Sequence, residues 1–311
     1  MTNRHPSTDP EAIYAPYLSF LGLPPPLNPA EAARAAVLPI PYDLTTSYQP
    51  GARRGPIAIL EASTHLETFD DELVCETWER VGIATLPAVA PDTTGPAATL
   101  ARIAAAAAEV LASGRFLIGL GGEHSVTAPL VQATRVRHPA LGVLQLDAHG
   151  DLRDAFEGSP HNHACVMRRL AEAGVPLAQV GIRSLTSEEH AFIDEKGICT
   201  VYAHEAVLQP VESWLPRVLA ALPDEVYVTV DLDAFDPSIM PATGTPEPGG
   251  LDWYRALAVL RGVAERRRIV GFDVVELAPM PGNVAPDFLA AKLVYKLLGY
   301  SFLLGPGAQR K

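Results

Sequence analysis

Short apolar runs rich in β-branched residues alternate with longer segments of helical periodicity from Ala36 onward. The predicted strands are VLPIPY, VGIATLPAV, RFLIGLG, GVLQLDAH, QVGIRS, ICTVYA, VYVTVDLD and RIVGFDVVEL. Helical segments such as TLARIAAAAAEVLASG and PDFLAAKLVYKLLGY separate them. Strands that are apolar on both faces and are joined through helices pair in parallel, and helices cover both faces of their sheet. The sequence therefore predicts one α/β domain built on a mainly parallel sheet.

The first 35 residues do not share this pattern. They are weakly periodic and end in the proline-rich stretch PPPLNPAEAAR. We therefore divide the chain into a Pro-rich N-terminal arm, residues 1–35, and one folded domain, residues 36–311. The arm is expected to pack on the domain or on a neighbouring subunit. No internal repeat or low-complexity linker divides the domain.

Charge and cysteine content exclude several classes of protein. The 36 acidic residues outnumber the 24 Lys and Arg residues, so the net charge is −12 and the basic surface needed for nucleic-acid binding is missing. The three cysteines form no CxxC pair, which disfavours a disulfide framework and predicts a cytoplasmic protein. The N-terminus has no apolar signal-peptide region, and the most apolar long run, ARIAAAAAEVLA, contains Arg102 and Glu109. We therefore expect no membrane span.

Polar clusters follow four of the predicted strands. GGEHS follows RFLIGL, DAHGD follows GVLQL, DLDAFDP follows VYVTV, and Glu276 follows GFDVV. In open parallel sheets, binding sites form beyond the carboxyl ends of the strands. The four clusters are therefore predicted to meet at one edge of the sheet.

The residue types in these clusters are those that bind metal ions. In an extended chain, side chains two residues apart point the same way, about 6.6 Å from each other, so each DxHxD or DxD run presents one face. Six ligands are too many for one structural zinc and suit a pair of divalent ions. Oxygen and imidazole donors favour Mn²⁺, although Ni²⁺, Fe²⁺, Co²⁺ and Zn²⁺ remain compatible with them. The predicted metal ligands are His124, Asp147, His149, Asp151, Asp231 and Asp233.

Each motif also has a simpler interpretation. A single DxH or DxD occurs by chance, an Asp after a strand often caps a helix, and a lone His124 would suit a buried core position. We assign Asp236, which precedes Pro237, to such a turn and leave it out of the site. Ligand-type residues recur at three separate strand ends, and this joint pattern favours the metal interpretation.

The segments GGEHS, DAHGDLR, HACVMRR and VDLDAFDPSIMPATGTPEPGG resemble the ureohydrolase family, which includes arginases and agmatinases. The similarity extends from about Ala36 to about Leu298. It implies a three-layer αβα fold with an eight-stranded, mainly parallel sheet. It also implies a binuclear manganese centre and a homo-trimeric or homo-hexameric assembly.

The resemblance also implies a role for each site residue. The first metal ion would be held by His124, Asp147, Asp151 and Asp231, and the second by Asp147, His149, Asp231 and Asp233. A hydroxide bridging the two ions, oriented by Asp151, would attack the guanidinium carbon of the substrate. Glu276 would bind the guanidinium group, and His163 would protonate the leaving amine. His161 lies two residues earlier, but alignment on ACVMRR favours His163.

The wording of the GIRS and HACVMRR segments is closer to agmatinases, which implies hydrolysis of agmatine to putrescine and urea. Where arginases hold the α-amino and α-carboxylate groups of arginine, this chain has Arg153 and Ser184, which disfavours arginine. Arg153 could instead pair with a carboxylate, so guanidinobutyrate and guanidinopropionate remain alternatives, as does free guanidine. A surface ion pair of Arg153 with Asp154 or Glu157 is the simpler expectation for this arginine.

Overall fold

The computed structural model describes residues 18–23 and 33–308. Its main sheet has eight parallel strands, and a separate two-stranded antiparallel ribbon is formed by β2 and β3. In chain order the strands are β1 Ala35–Ile40, β2 Phe69–Asp70, β3 Cys75–Glu76, β4 Ile83–Thr85, β5 Phe116–Gly121, β6 Gly142–Leu146, β7 Leu177–Ile182, β8 Cys199–Tyr202, β9 Glu225–Asp231 and β10 Arg268–Val275.

The helices begin and end at residues suited to those positions. Pro96 opens the alanine-rich α3, where its missing N–H leaves no bond unmade. Thr186 and Glu189 form a capping box at the start of α6, and Gly197 ends that helix in the left-handed conformation. The helices are α1 Gly55–Ser63, α2 Thr77–Val81, α3 Pro96–Ala112, α4 Thr127–Arg135, α5 Val166–Glu172, α6 Ser187–Lys196, α7 Ala203–Leu208, α8 Val211–Ala221, α9 Trp253–Ala264 and α10 Ala285–Leu303.

The strand order in the main sheet is β4-β1-β5-β10-β9-β6-β7-β8. All neighbouring pairs are parallel, so every strand ends at the same edge of the sheet. The four strands that precede the predicted polar clusters, β5, β10, β9 and β6, are consecutive in this order. The chain topology therefore brings the four clusters side by side at the centre of that edge.

Two hydrophobic cores cover the two faces of the sheet. One core contains Ile59 of α1, Trp214 of α8 and Leu293 of α10, while the other contains Ile103 of α3 and Leu130 of α4. In the central strands, residues enter both cores, as expected for strands covered on both sides. The predicted three-layer αβα fold is confirmed.

The predicted boundary of the arm lies close to the first strand, which begins at Ala35. Most of the arm lies outside the described residues. Of the described part, Leu21 is buried, and its backbone N–H donates to Ser63 Oγ at the end of α1. Within residues 18–23 and 33–308, no helix combines the length and apolar character that crossing a membrane requires.

Candidate metal centre

His124 is delivered by a tight turn after β5. Its turn follows Gly122, where a Cβ atom would lie 2.1 Å from the carbonyl oxygen of Tyr42. Only glycine allows this approach of two backbones. His124 then opens a single 3₁₀ turn, and its own N–H donates to Glu276 Oε1 at 2.7 Å. The imidazole is thereby fixed between the ends of β5 and β10.

The extended geometry predicted for the DAHGD segment is wrong. Strand β6 ends at Leu146, and Asp151 has a φ of 52°, in the left-handed region. Two backbone N–H groups at the start of α5 donate to the carbonyl oxygen of Asp151 and hold this conformation, at 3.0 and 3.1 Å. Asp233 likewise lies in a 3₁₀ turn beyond β9 and not in the strand. Turns, and not strand alternation, therefore aim these side chains.

The turns nevertheless bring the predicted ligands together. His124 Nδ1 lies 3.0 Å from Asp147 Oδ2, 3.0 Å from Asp151 Oδ2 and 3.3 Å from Asp231 Oδ2. The His149 Nδ1 atom lies 2.9 Å from Asp233 Oδ2 and 3.7 Å from Asp147 Oδ1. The ligand atoms form two groups. The atoms of each group lie close enough together to bind one ion, and the two groups have one residue in common. The groups are His124, Asp147 and Asp231, and Asp147, His149 and Asp233.

His124 Nδ1 provides the test of whether a cation fits. This atom is buried, and among the described residues none forms a hydrogen bond with it, although three carboxylate oxygens surround it. Burial lowers the pKa of His124, but the facing carboxylates raise it well above its usual value. A nitrogen lone pair and several carboxylate oxygens converging without hydrogen-bond geometry are what a divalent cation needs. The donor set therefore fits a metal ion.

The buried carboxylates cannot all be ionised without cations. Burial and the charge of Asp147 raise the pKa of Asp151 to about 7. Burial, Asp233 and Asp147 raise the pKa of Asp231 well above its usual range. Although burial lowers the pKa of His149, the carboxylates of Asp233 and Asp147 raise it to about 12. The metal-free cluster therefore holds protons, which divalent ions would replace.

A buried hydrogen-bond chain behind His124 orients its ring. The Nε2 atom of His124 lies 2.9 Å from Thr229 Oγ1, which donates to Asp273 Oδ1 at 2.6 Å. Tyr227 donates its hydroxyl to the other oxygen of Asp273 at 2.9 Å. Because Thr229 gives its only proton to Asp273, it accepts from His124, which leaves Nδ1 free to face the carboxylates.

His163 lies at the rim of the cluster in a neutral state. It is largely buried, and burial lowers its pKa to about 4. Its backbone N–H donates to Thr45 Oγ1 at 3.1 Å, and its Nδ1 lies 3.4 Å from the same oxygen. The Thr45 hydroxyl in turn donates to Glu123, a fully buried carboxylate, at 2.5 Å. His161, by contrast, is exposed in the preceding loop.

Thr45 and Glu123 are site residues that the sequence analysis did not identify. They are 78 positions apart, and the link between them is a contact across the fold. Glu123 lies within the GGEHS cluster, and Thr45 lies within the segment YDLTTS. Neither segment indicates locally that the two residues are in contact. Glu276 was predicted, and it too has a left-handed backbone, with a φ of 66°. Burial and the nearby Glu123 raise the pKa of Glu276 well above its usual value.

Two connected cavities give access to the cluster. The inner one, about 20 Å³, is lined by five of the six predicted ligands, all but Asp147, together with His163, Glu276, Gly244 and Thr245. The outer one, about 220 Å³, shares His163 and Thr245 with it and adds Phe156. A molecule with one small end and a longer tail matches the two cavity volumes.

Arg153 lines the outer cavity but does not form the predicted surface ion pair. Its guanidinium group stacks over the Phe156 ring at 4.3 Å from the centroid, and its Nε lies 3.9 Å from Glu189 Oε2. Asp154, one of the two expected partners, is paired with Arg169 at 2.6 Å. Ser184 also lines the outer cavity.

The chain is similar to known proteins over most of its length. A model of the arginase family matches residues 33–299. The N(1)-aminopropylagmatine ureohydrolase of Synechocystis sp. is 43% identical over 274 residues, 86% of this chain and 89% of that protein. The agmatinase of Pyrococcus horikoshii is 37% identical over 270 residues, 85% of this chain and 91% of that protein. The solved structure of proclavaminate amidino hydrolase from Streptomyces clavuligerus has a TM-score of 0.85 at 28% identity, covering 93% of this chain and 98% of that one. A family model that spans most of the sequence, and relatives that align with it nearly throughout, show that the chain belongs to the arginase family.

Proposed function

We propose that the chain is a binuclear-metal hydrolase that cleaves a linear guanidino amine into urea and the free amine. The observation that carries this proposal is the pair of ligand groups that share Asp147 and surround the inner part of a two-part cavity. Relatives with ureohydrolase and agmatinase names support the reaction class.

The proposed metal assignment extends the two ligand groups by Asp151 at the first ion and by Asp231 at the second, as the family resemblance implies. One ion would be held by His124, Asp147, Asp151 and Asp231, and the other by Asp147, His149, Asp231 and Asp233. Mn²⁺ is the first choice because the donors are mostly carboxylate oxygens, with Ni²⁺ as the alternative. Such ions, when bound, acidify water and stabilise negative charge that develops on a substrate.

Glu276 is proposed to hold the substrate guanidinium group. Its Oε1 accepts from the backbone of His124, and its other oxygen lies near Gly244 on the inner cavity wall. A guanidinium group presents parallel N–H donors that match a carboxylate, and the bond gains strength away from water. A positive substrate would favour the ionised form of Glu276, whose pKa burial and Glu123 raise in the absence of substrate.

His163 is proposed to carry a proton to the leaving amine. It stands where the inner and outer cavities meet, so its ring is close to the bond between the guanidinium carbon and the tail. The buried neutral ring takes a proton from the reaction site and releases it readily, because its pKa is about 4. Thr45, fixed by Glu123, keeps the ring in place.

The substrate is proposed to be N(1)-aminopropylagmatine, with agmatine, the substrate predicted from the sequence, as the second candidate. The relatives at 43% identity carry the first name, and the agmatinase of Pyrococcus horikoshii is at 37%. The outer cavity of about 220 Å³ leaves room for a substrate tail beyond the inner cavity, which free guanidine would not fill. Guanidino acids are less favoured because Arg153 is already stacked on Phe156.

A urea-release assay tests the proposal. The purified chain, loaded with Mn²⁺ or with Ni²⁺, is given N(1)-aminopropylagmatine, agmatine, arginine, guanidinobutyrate, guanidinopropionate and guanidine in parallel. We expect the highest kcat/KM for N(1)-aminopropylagmatine, with agmatine next. A guanidino acid as the best substrate would overturn the assignment of the tail but not of the reaction. Urea release from none of the six would contradict the reaction itself.

A further inference from the structure

Two glutamines lie in strands that are otherwise apolar. Gln145 is the only polar side chain of β6, GVLQL, and Gln179 is the only one of β7, LAQVGI. They are 1% and 0% exposed. A buried amide costs about 1–3 kcal/mol unless its hydrogen bonds are made, so two in neighbouring core strands call for partners.

The glutamines face each other in the sheet. Gln145 is the register partner of Gln179, and Gln179 is the register partner of Thr200 in β8. Their side chains join across the strands: Gln179 Nε2 donates to Gln145 Oε1 at 2.6 Å, and Thr200 Oγ1 donates to Gln179 Oε1 at 3.1 Å. We call these three side chains the amide ladder.

The amide ladder ends on the metal cluster. Gln145 Nε2 donates to Asp147 Oδ2 at 2.7 Å and lies 3.3 Å from the carbonyl oxygen of His149. Gln179 Nε2 donates to the carbonyl oxygen of Gly150 at 2.8 Å. The carboxylate and both carbonyls can only accept, so the direction of each amide is fixed. All four amide hydrogens of the two glutamines therefore have acceptors.

Gln145 donates to the Asp147 oxygen that faces His124. Asp147 Oδ2, the acceptor of the Gln145 bond, is also 3.0 Å from His124 Nδ1. Asp147 Oδ1 accepts from the backbone N–H of His149 at 2.6 Å. The ladder thus fixes one carboxylate oxygen, and the loop fixes the other.

We propose that Gln145 and Gln179 are positioning residues that hold Asp147 and its loop in the geometry of metal binding and so set the metal affinity of the centre. The inference rests on the metal centre of the proposed function. Ligand side chains held by a second layer of hydrogen bonds lose no orientational freedom when the ion arrives, and removal of such partners typically weakens binding about 10- to 100-fold.

The test compares Gln145→Met with Gln132→Met. Methionine keeps the length of the side chain and removes the amide, and Gln132 is an exposed glutamine on α4. After removal of metal with a chelator, Mn²⁺ is titrated calorimetrically, and bound Mn²⁺ per chain is counted by elemental analysis. We expect a Kd about 10- to 100-fold higher for Gln145→Met and an unchanged Kd for Gln132→Met.

Thermal unfolding separates positioning from packing. A packing role would lower the Tm of the metal-free protein and leave the increase on adding Mn²⁺ unchanged, whereas a positioning role makes that increase smaller. If Gln145→Met does not fold, Gln179→Met provides the test. The Gln179 amide donates to Gln145 and to Gly150 and so acts on Asp147 indirectly. We expect a rise in the Mn²⁺ Kd that is smaller than the rise for Gln145→Met.

Different results would refute the metal centre and the role of the amide ladder. Wild-type protein that binds no Mn²⁺ would refute the metal centre itself. Wild-type protein that binds two ions, with a glutamine variant whose Kd is within twofold of wild type, would refute only the role of the amide ladder.

Discussion

Replacing Asp147 by asparagine tests the central feature of the site, because this residue belongs to both ligand groups. At an effective dielectric constant of about 20, a unit charge pair 4 Å apart interacts by about 4 kcal/mol, and a divalent ion doubles this. Ion hydration offsets most of that energy. We take the net contribution of the Asp147 charge to Mn²⁺ binding as about 3 kcal/mol. Its loss raises the Mn²⁺ Kd about 100-fold, since 1.4 kcal/mol is a factor of ten.

The same substitution also affects the metal-free protein. The Asp147 carboxylate accepts hydrogen bonds from Gln145 and from the N–H of His149. An asparagine amide can accept only through its single oxygen, so one buried donor is left without a partner. We expect the free energy of unfolding to fall by about 1–3 kcal/mol.

The assay is calorimetric titration of chelator-treated protein with Mn²⁺, combined with urea release and urea denaturation. Asp194→Asn is the matched control, because its carboxylate is 74% exposed on α6 and far from the cluster in the sequence. The control should bind and turn over as wild type. Two Mn²⁺ ions bound to Asp147→Asn with a Kd within tenfold of wild type would refute the shared-ligand argument.

Two further predictions concern stability. Below pH 6.5 an unfolded histidine takes up a proton, while folded His163, whose pKa is about 4, stays neutral, so lowering the pH destabilises the fold. Between pH 7.5 and pH 5.0 the chelator-treated wild type should lose about 2 kcal/mol more unfolding free energy than His163→Asn in urea titrations, and equal losses would contradict the burial argument. Gly122→Ala should lower the unfolding free energy by about 3 kcal/mol because of the 2.1 Å approach to Tyr42, as measured by denaturation. Gly158→Ala, where a Cβ meets nothing within 4 Å, should cost only about 1–2 kcal/mol of left-handed strain, and similar losses in both variants would exclude the steric explanation.

The position of the site could be predicted because it depends on periodicity. Apolar strands separated by helices imply parallel pairing, and parallel pairing puts all strand ends at one edge. The order of the strands was not predicted, since local patterns do not determine which strands pair. Short elements such as the β2–β3 ribbon and α7 were also missed, because two to six residues carry too little periodic signal.

The conformation of the ligand loop could not be predicted from the sequence. An extended DAHGD segment was the natural expectation from alternate polar residues, yet Asp151 adopts a left-handed backbone. Its carbonyl oxygen is engaged by the start of α5, which lies 15 residues further on. The link between Thr45 and Glu123 has the same origin, since it forms only when distant segments have docked. Tertiary contacts of this kind leave no local pattern.

Among the described strands β10 is the last in chain order, yet it lies in the middle of the sheet and pairs with β5 and β9. A nascent chain that lacks Arg268–Val275 therefore has two separate half-sheets with unprotected edges, one carrying His124 and the other Asp147. Such edges pair readily with other chains, which makes the interval before β10 arrives the period of greatest aggregation risk during biosynthesis. Asp147, His149 and Asp233 all belong to the half without His124, so the ligand group that includes His124 is completed only when β10 joins the two halves.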